Sequence, residues 1–224
     1  MLLIALLVVA VFIAVRKAQG DDATAGPPTT PQQSTSTTAG PPTGDDRSAA
    51  ELFATLVVKE EADRQGYARE AFGEGWLTDS SGCDVRNQVL AEESRVPVER
   101  DADGCTVVAG EWLSIYDNYS TPHAEELEID HVVALAEAWD SGANDWSSER
   151  RVQFANDLAR PDALIAVSAA TNQSKSDRDP AEWMPPNDGA WCRFAAAWIN
   201  QKAAWQLTID PAERDALRNV LTSC

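Results

Sequence analysis

Residues 127–139 read LEIDHVVALAEAW. Leu127 to Val133 has the apolar and β-branched content of a strand, and Ala134 to Trp139 reads as a helix that Ser141-Gly142 ends. Asp130-His131 falls at the join. The chain has only two histidines, and one beside a carboxylate at a strand end is a candidate for proton transfer near neutral pH. Adjacent residues on a regular strand point to opposite faces. Asp130 and His131 therefore share one site only if the chain turns or bulges there.

Downstream, Ser147 can cap a helix running through Phe154, with Asn156-Asp157 beyond it. ALIAV, residues 163–167, reads as a short buried strand, and Ser168 to Asp177 as a short helix of polar residues. Two strands and that helix can fold back into a compact ββα unit, giving an α+β domain. Such a unit gathers a carboxylate, an imidazole and an amide oxygen in a small volume. Phosphodiester hydrolysis asks for this set: a base for the attacking water, and hard oxygen ligands for a divalent cation that meets the phosphoryl charge. Two protein oxygens, Asp130 and Asn172, leave room for water and a substrate phosphate, which suits Mg²⁺.

Leu127 to Leu135, Ala155-Asn156-Asp157-Leu158, Leu164-Ile165-Ala166-Val167 and Asn172-Gln173-Ser174-Lys175 together resemble the HNH endonuclease family of ββα-metal, or His-Me finger, nucleases. The closest likeness is to a secreted bacterial branch related to the C-terminal domain of the GmrSD restriction enzymes. Gly82-Cys83-Asp84-Val85-Arg86, Ala138-Trp139, Asp179-Pro180-Ala181-Glu182-Trp183 and Cys224 extend it over most of residues 60–224. The resemblance implies His131 as general base, Asp130 as the metal ligand before it and Asn172 as the ligand on the helix. It also implies Asn156 as the residue orienting the loop that holds the base, and Lys175 near the phosphate. The pattern departs at Ala134, where the family often has proline, and at Ser176, where glycine often follows the lysine.

The expected activity is metal-dependent cleavage of DNA, with RNA as a second substrate class, by a monomer using one divalent cation. Composition pulls the other way. Of the formal −18 charge, residues 48–224 carry −17, and an acidic domain repels polyanions at long range. Arg150, Arg151, Arg160, Lys175 and Arg178 are expected to form a local basic rim that offsets this. The alternative is a non-enzymatic, wall-associated or protein-binding module, suggested by the acidity, a spacer and eight tryptophans. Trp183, Trp191, Trp198 and Trp205 are expected to pack. His123, in Thr-Pro-His, reads as a loop residue, and Glu60-Glu61 and Glu92-Glu93 as plain surface charge.

Residues 1–15, MLLIALLVVAVFIAV, are apolar throughout and precede Arg16-Lys17. The run is short for a span of roughly 20 residues, so residues 1–20 read as a signal peptide or a short membrane anchor. Residues 21–47 are rich in Thr, Pro and Ser and read as a disordered linker. The folded domain is expected over 48–224, opened by the capping box Ser48-Ala-Ala-Glu51 with Leu52, Leu56 and Val57 as its apolar residues. Asp179-Pro180 and Asp210-Pro211 each read as a helix start. Four separated cysteines with no CxxC favour two disulfides, Cys83–Cys105 and Cys192–Cys224, over a metal cage. Disulfides and the leader place the protein outside the cell, secreted or tethered to the membrane's outer face.

Overall fold

The computed structural model describes residues 48–224. The expected leader (1–20), with its membrane tether, and the linker (21–47) lie outside them. Within them the protein is α+β, with seven α-helices and two small antiparallel sheets. No helix of the described residues is long and apolar enough to cross a membrane.

The ββα unit is present. β4 (Leu127–His131) pairs antiparallel with β5 (Leu164–Ser168), in the register Asp130↔Ile165 and His131↔Leu164. α5 (Ala169–Lys175) follows β5 directly, capped by Ser168 Oγ on the Thr171 amide. The strands separate two apolar clusters. Leu127, Ile129, Leu164 and Ala166 pack with Val85, Val89, Leu90 and Trp112. Ile165 and Val167 join the larger cluster of Phe72, Tyr116, Trp139, Phe154, Phe194 and Trp198. The strand alternation thus puts Glu128 and Asp130 on one face of β4, and Ile129 and His131 on the other.

The remaining elements frame this unit. α2 (Val85–Glu93), capped by Asp84, covers the smaller cluster. β1 (Glu99–Arg100), β2 (Val107–Ser114) and β3 (Tyr119–His123) form the second sheet. α3 (Leu135–Asp140) ends at Gly142, whose φ of 120° suits glycine. α4 (Ser148–Ala155) takes Ser147 as its cap. α6 (Trp191–Trp205) and α7 (Pro211–Leu221) close the core, with the Asp210 and Glu213 capping box at the start of α7. Cys83–Cys105 and Cys192–Cys224 are the two disulfides, as the spacing suggests.

Several expectations change. The Ser48 capping box forms, but α1 (Ala49–Phe53) is only five residues long and Val57 lies 63% exposed. The Thr-Pro-His segment is not a loop but β3. It stands at the sheet edge, where Pro122 costs no ladder hydrogen bond. Asp179 caps a turn rather than a helix, accepting from the amides of Ala181 and Glu182. Pro185 and Pro186 follow too soon, and a residue before proline avoids the helical region. Trp183 and Trp198 are buried, whereas Trp191 is 38% exposed. Glu93 is not plain surface charge, because it accepts from the Ala166 amide on the open edge of β5.

Candidate active site

His131 is buried at the end of β4, and its ring is held on two sides. Nε2 lies 2.8 Å from the carbonyl oxygen of Ala155, at the end of α4. A carbonyl only accepts, so Nε2 carries the proton and Nδ1 is left as the basic nitrogen. The indole of Trp76 stacks on the imidazole, with centroids 5.1 Å apart and planes 13° from parallel. Burial pushes the His131 pKa down to about 4, opposed by the Ala155 hydrogen bond and aided by the charges of Arg69 and Lys175. The ring is neutral at pH 7.

Two cavities, of about 370 and 510 Å³, share Arg69, His131 and Leu135 in their walls. The first is otherwise built from Glu70, Phe72 to Trp76 and Ala155. Gly73 and Gly75, at φ 107° and 147°, turn the chain from the short turn Arg69–Phe72 into Trp76. The second is lined by Glu128, Asp130, Asn172 and Gln173.

The strand does not bulge at Asp130-His131, so the two side chains leave β4 on opposite faces, but β4 ends at His131 and both residues line the second cavity. Asp130 Oδ1 accepts from Lys175 Nζ at 2.8 Å, and Oδ2 from the Tyr116 hydroxyl at 2.7 Å. Burial raises the Asp130 pKa against the pull of Lys175, and Tyr116 is pushed well above its ordinary value by burial and by Asp130. Asn172 Nδ2 donates to Glu128 at 2.7 Å, and Gln173 donates to the other Glu128 oxygen at 2.9 Å. The Asn172 amide is thereby fixed with Oδ1 as its remaining acceptor.

Asn156 makes no hydrogen bond to His131. It ties α4 to the neighbouring loop, accepting from the Leu77 amide and donating to the Val152 carbonyl. Asn156 follows Ala155 and Leu77 follows Trp76 in the chain, so this tie joins the two groups that hold the imidazole. Lys175 is not near an open phosphate site. It is 0% exposed and bonded to Asp130 and to the His131 carbonyl, so its ammonium serves the core. The expected basic rim is likewise engaged elsewhere. Arg151 donates to the carbonyls of Ala71, Ala143 and Trp146, Arg150 to Trp205, Arg178 to Lys175, and Arg160 pairs with Asp157. Sequence reasoning overlooked Glu128, Arg69 and Trp76 as site residues. Only the strand alternation, which sets Glu128 beside Asp130, gave a hint.

The oxygen donors fit a hard divalent cation. Asp130, Glu128 and Asn172 share one cavity wall, and each carboxylate oxygen of Asp130 keeps a second lone pair after its hydrogen bond. Among the described residues, a group of three carboxylates converges elsewhere: Glu61, Asp179 and Asp210 lie with ligand atoms within 4.8 Å of one another. Burial and neighbouring acids push Glu61 up to about 7 and Asp179 to about 6.

The family model for the GmrSD restriction endonucleases, C-terminal domain, matches residues 84–220. The chain belongs to this family. The GmrSD match spans both strands of the ββα unit and α5, with Glu128, Asp130, His131, Asn156, Asn172 and Lys175, and begins after the Arg69–Trp76 segment. The chain is also 36% identical over 213 residues to a protein of Arthroderma benhamiae named "Uncharacterized secreted protein", covering 95% of this chain and 98% of that one. No solved structure matches.

Proposed function

We propose that this GmrSD-type domain is an HNH endonuclease that hydrolyses phosphodiester bonds, with DNA as substrate and RNA as the second candidate. The observation that carries the reading is the Ala155 carbonyl on His131 Nε2, which leaves Nδ1 of a neutral, clamped imidazole as a base. Membership of an endonuclease family supports the reaction class. Two disulfides and the secreted relative support action outside the cell.

In this mechanism His131 Nδ1 takes a proton from the attacking water. The Ala155 carbonyl stabilises the imidazolium that forms, and Trp76 keeps the ring from turning. Asn156 is a positioning residue, acting through Ala155 and the loop at Leu77. Asp130 and Asn172, with Glu128 beside them, would hold a divalent cation, for which Mg²⁺ is the proposal. When bound, the cation supplies charge neutralisation at the phosphoryl oxygens. Lys175 neutralises Asp130 and holds the His131 carbonyl, so its role is structural.

The test is cleavage of supercoiled plasmid and single-stranded DNA by the oxidised chain in Mg²⁺, with His131→Ala alongside. The expected loss is about 10²- to 10⁴-fold, the usual contribution of a general base, and chelation should abolish the wild-type activity. Equal cleavage by both proteins would end the reading.

A further inference from the structure

We propose that Arg69 is the residue that binds the substrate phosphate at this site, through its guanidinium on the non-bridging oxygens. This inference rests on the phosphodiesterase reading. It moves the phosphate contact from the lysine of α5 to a turn that precedes the segment matched by the family model.

Three observations converge. Arg69 lines both cavities that meet at His131. Its side chain is exposed, and among the described residues it forms no ion pair or hydrogen bond. The cations expected around the site are all engaged: Lys175 by Asp130, Arg160 by Asp157, and Arg150, Arg151 and Arg178 by backbone carbonyls. Arg69 is thus the cation beside His131 with all its donors available. A guanidinium presents a planar fork that matches two phosphate oxygens, and it cannot lose its charge at working pH.

The placement also answers the charge problem. Glu70 and Glu74 stand on the same rim, and the domain carries a large negative excess. An incoming polyanion meets repulsion except where a free cation offers a foothold, so binding should be weak, salt-sensitive and strongly dependent on this one side chain. Arg69 sits on the turn Arg69–Phe72, whose Phe72 is 1% exposed in the larger core cluster. The turn is anchored while the guanidinium remains free to meet a ligand.

The probe is a fluorescein-labelled single-stranded oligonucleotide, followed by anisotropy with the full oxidised chain in chelator, so that nothing is cut. Arg69→Ala should weaken binding about tenfold or more, as loss of a charge-assisted contact does. It should also flatten the plot of log affinity against log salt by roughly 0.7, the share of one phosphate contact on a single strand. Arg69→Lys should restore part of the affinity, since it returns the charge without the fork. In cleavage assays Arg69→Ala should raise KM more than it lowers kcat, with an unchanged melting temperature. Equal affinity and equal salt slope for wild type and Arg69→Ala would overturn the proposal, as would a wild type that fails to bind the oligonucleotide at low salt. A wild type that binds through Arg69 but cleaves in no divalent cation would uphold the phosphate contact and sink the hydrolase reading instead.

Discussion

Lys175 reaches Asp130 across the face of β4, 2.8 Å from Nζ to Oδ1, with side chains 0% and 4% exposed. The same ammonium has no role at a surface, because its second bond goes to the carbonyl of His131. One cation therefore pins α5 to both members of the Asp-His pair. Removing one partner of a buried ion pair leaves the other charge uncompensated, at about 3–5 kcal/mol. Lys175→Met is expected to lose that much in urea unfolding. Combining it with Asp130→Asn should recover part of the loss, because the orphaned charge is gone. If Lys175→Met melts like wild type, the pair is not a structural tie.

Trp76 restrains the base without touching it through a polar group. The stack of indole on imidazole is the kind of aromatic contact worth roughly 0.5–1.5 kcal/mol beyond burial. Loss of the stack should let the ring leave its productive orientation. Trp76→Ala is predicted to lower kcat about tenfold, with Trp76→Phe recovering most of it. Comparable kcat values for all three proteins would show that the Ala155 hydrogen bond suffices alone.

Much of this arrangement is legible in the residues. Caps read at Ser48, Ser147 and Asp210 mark helix starts that form. The order of LEIDH, ALIAV and the polar helix gives the ββα unit. What resists reading is burial of charge. Lys175 sits in a polar helix and looks solvated, yet an acid on the neighbouring strand draws it inward. Arg151 looks like rim charge, yet three carbonyls left over at turns and a helix end capture it. Arg69 gives no signal in the sequence, since its freedom depends on the fold leaving Glu70 and Glu74 on the same rim without pairing either of them to it.

Ser176 shows a local cost. It closes α5 with φ 56° and ψ −126°, a conformation that suits glycine and strains a residue bearing Cβ. This is the position where the HNH pattern often has glycine. Its hydroxyl recovers a bond to Asp177 at 3.1 Å, on an exposed surface. Relief of the strain should outweigh loss of that bond and the greater freedom of glycine in the unfolded chain. Ser176→Gly is expected to gain about 1 kcal/mol, read as a higher urea midpoint at unchanged slope. A lower midpoint would mean that the hydroxyl contact dominates.

Glu93 makes stability depend on pH in a direction that can be worked out. Burial raises its pKa from an ordinary 4.5 to about 7, against the pull of the Ala166 amide and of Arg193. Asp162 and Glu92 push the same way as burial, and Arg193 is itself paired with Asp162. Between about pH 4.5 and 7 the folded state thus holds a proton that the unfolded state releases, so stability falls as pH rises through that window. A glutamine in place of Glu93 would keep an oxygen for the Ala166 amide but has no charge to desolvate. Glu93→Gln should match wild type near pH 4.5 and exceed it on the order of 2–3 kcal/mol at pH 8. Thermal melts of both proteins at the two pH values decide it. A gap that is the same size at pH 4.5 and 8 would show that the carboxyl of Glu93 titrates as it does in water.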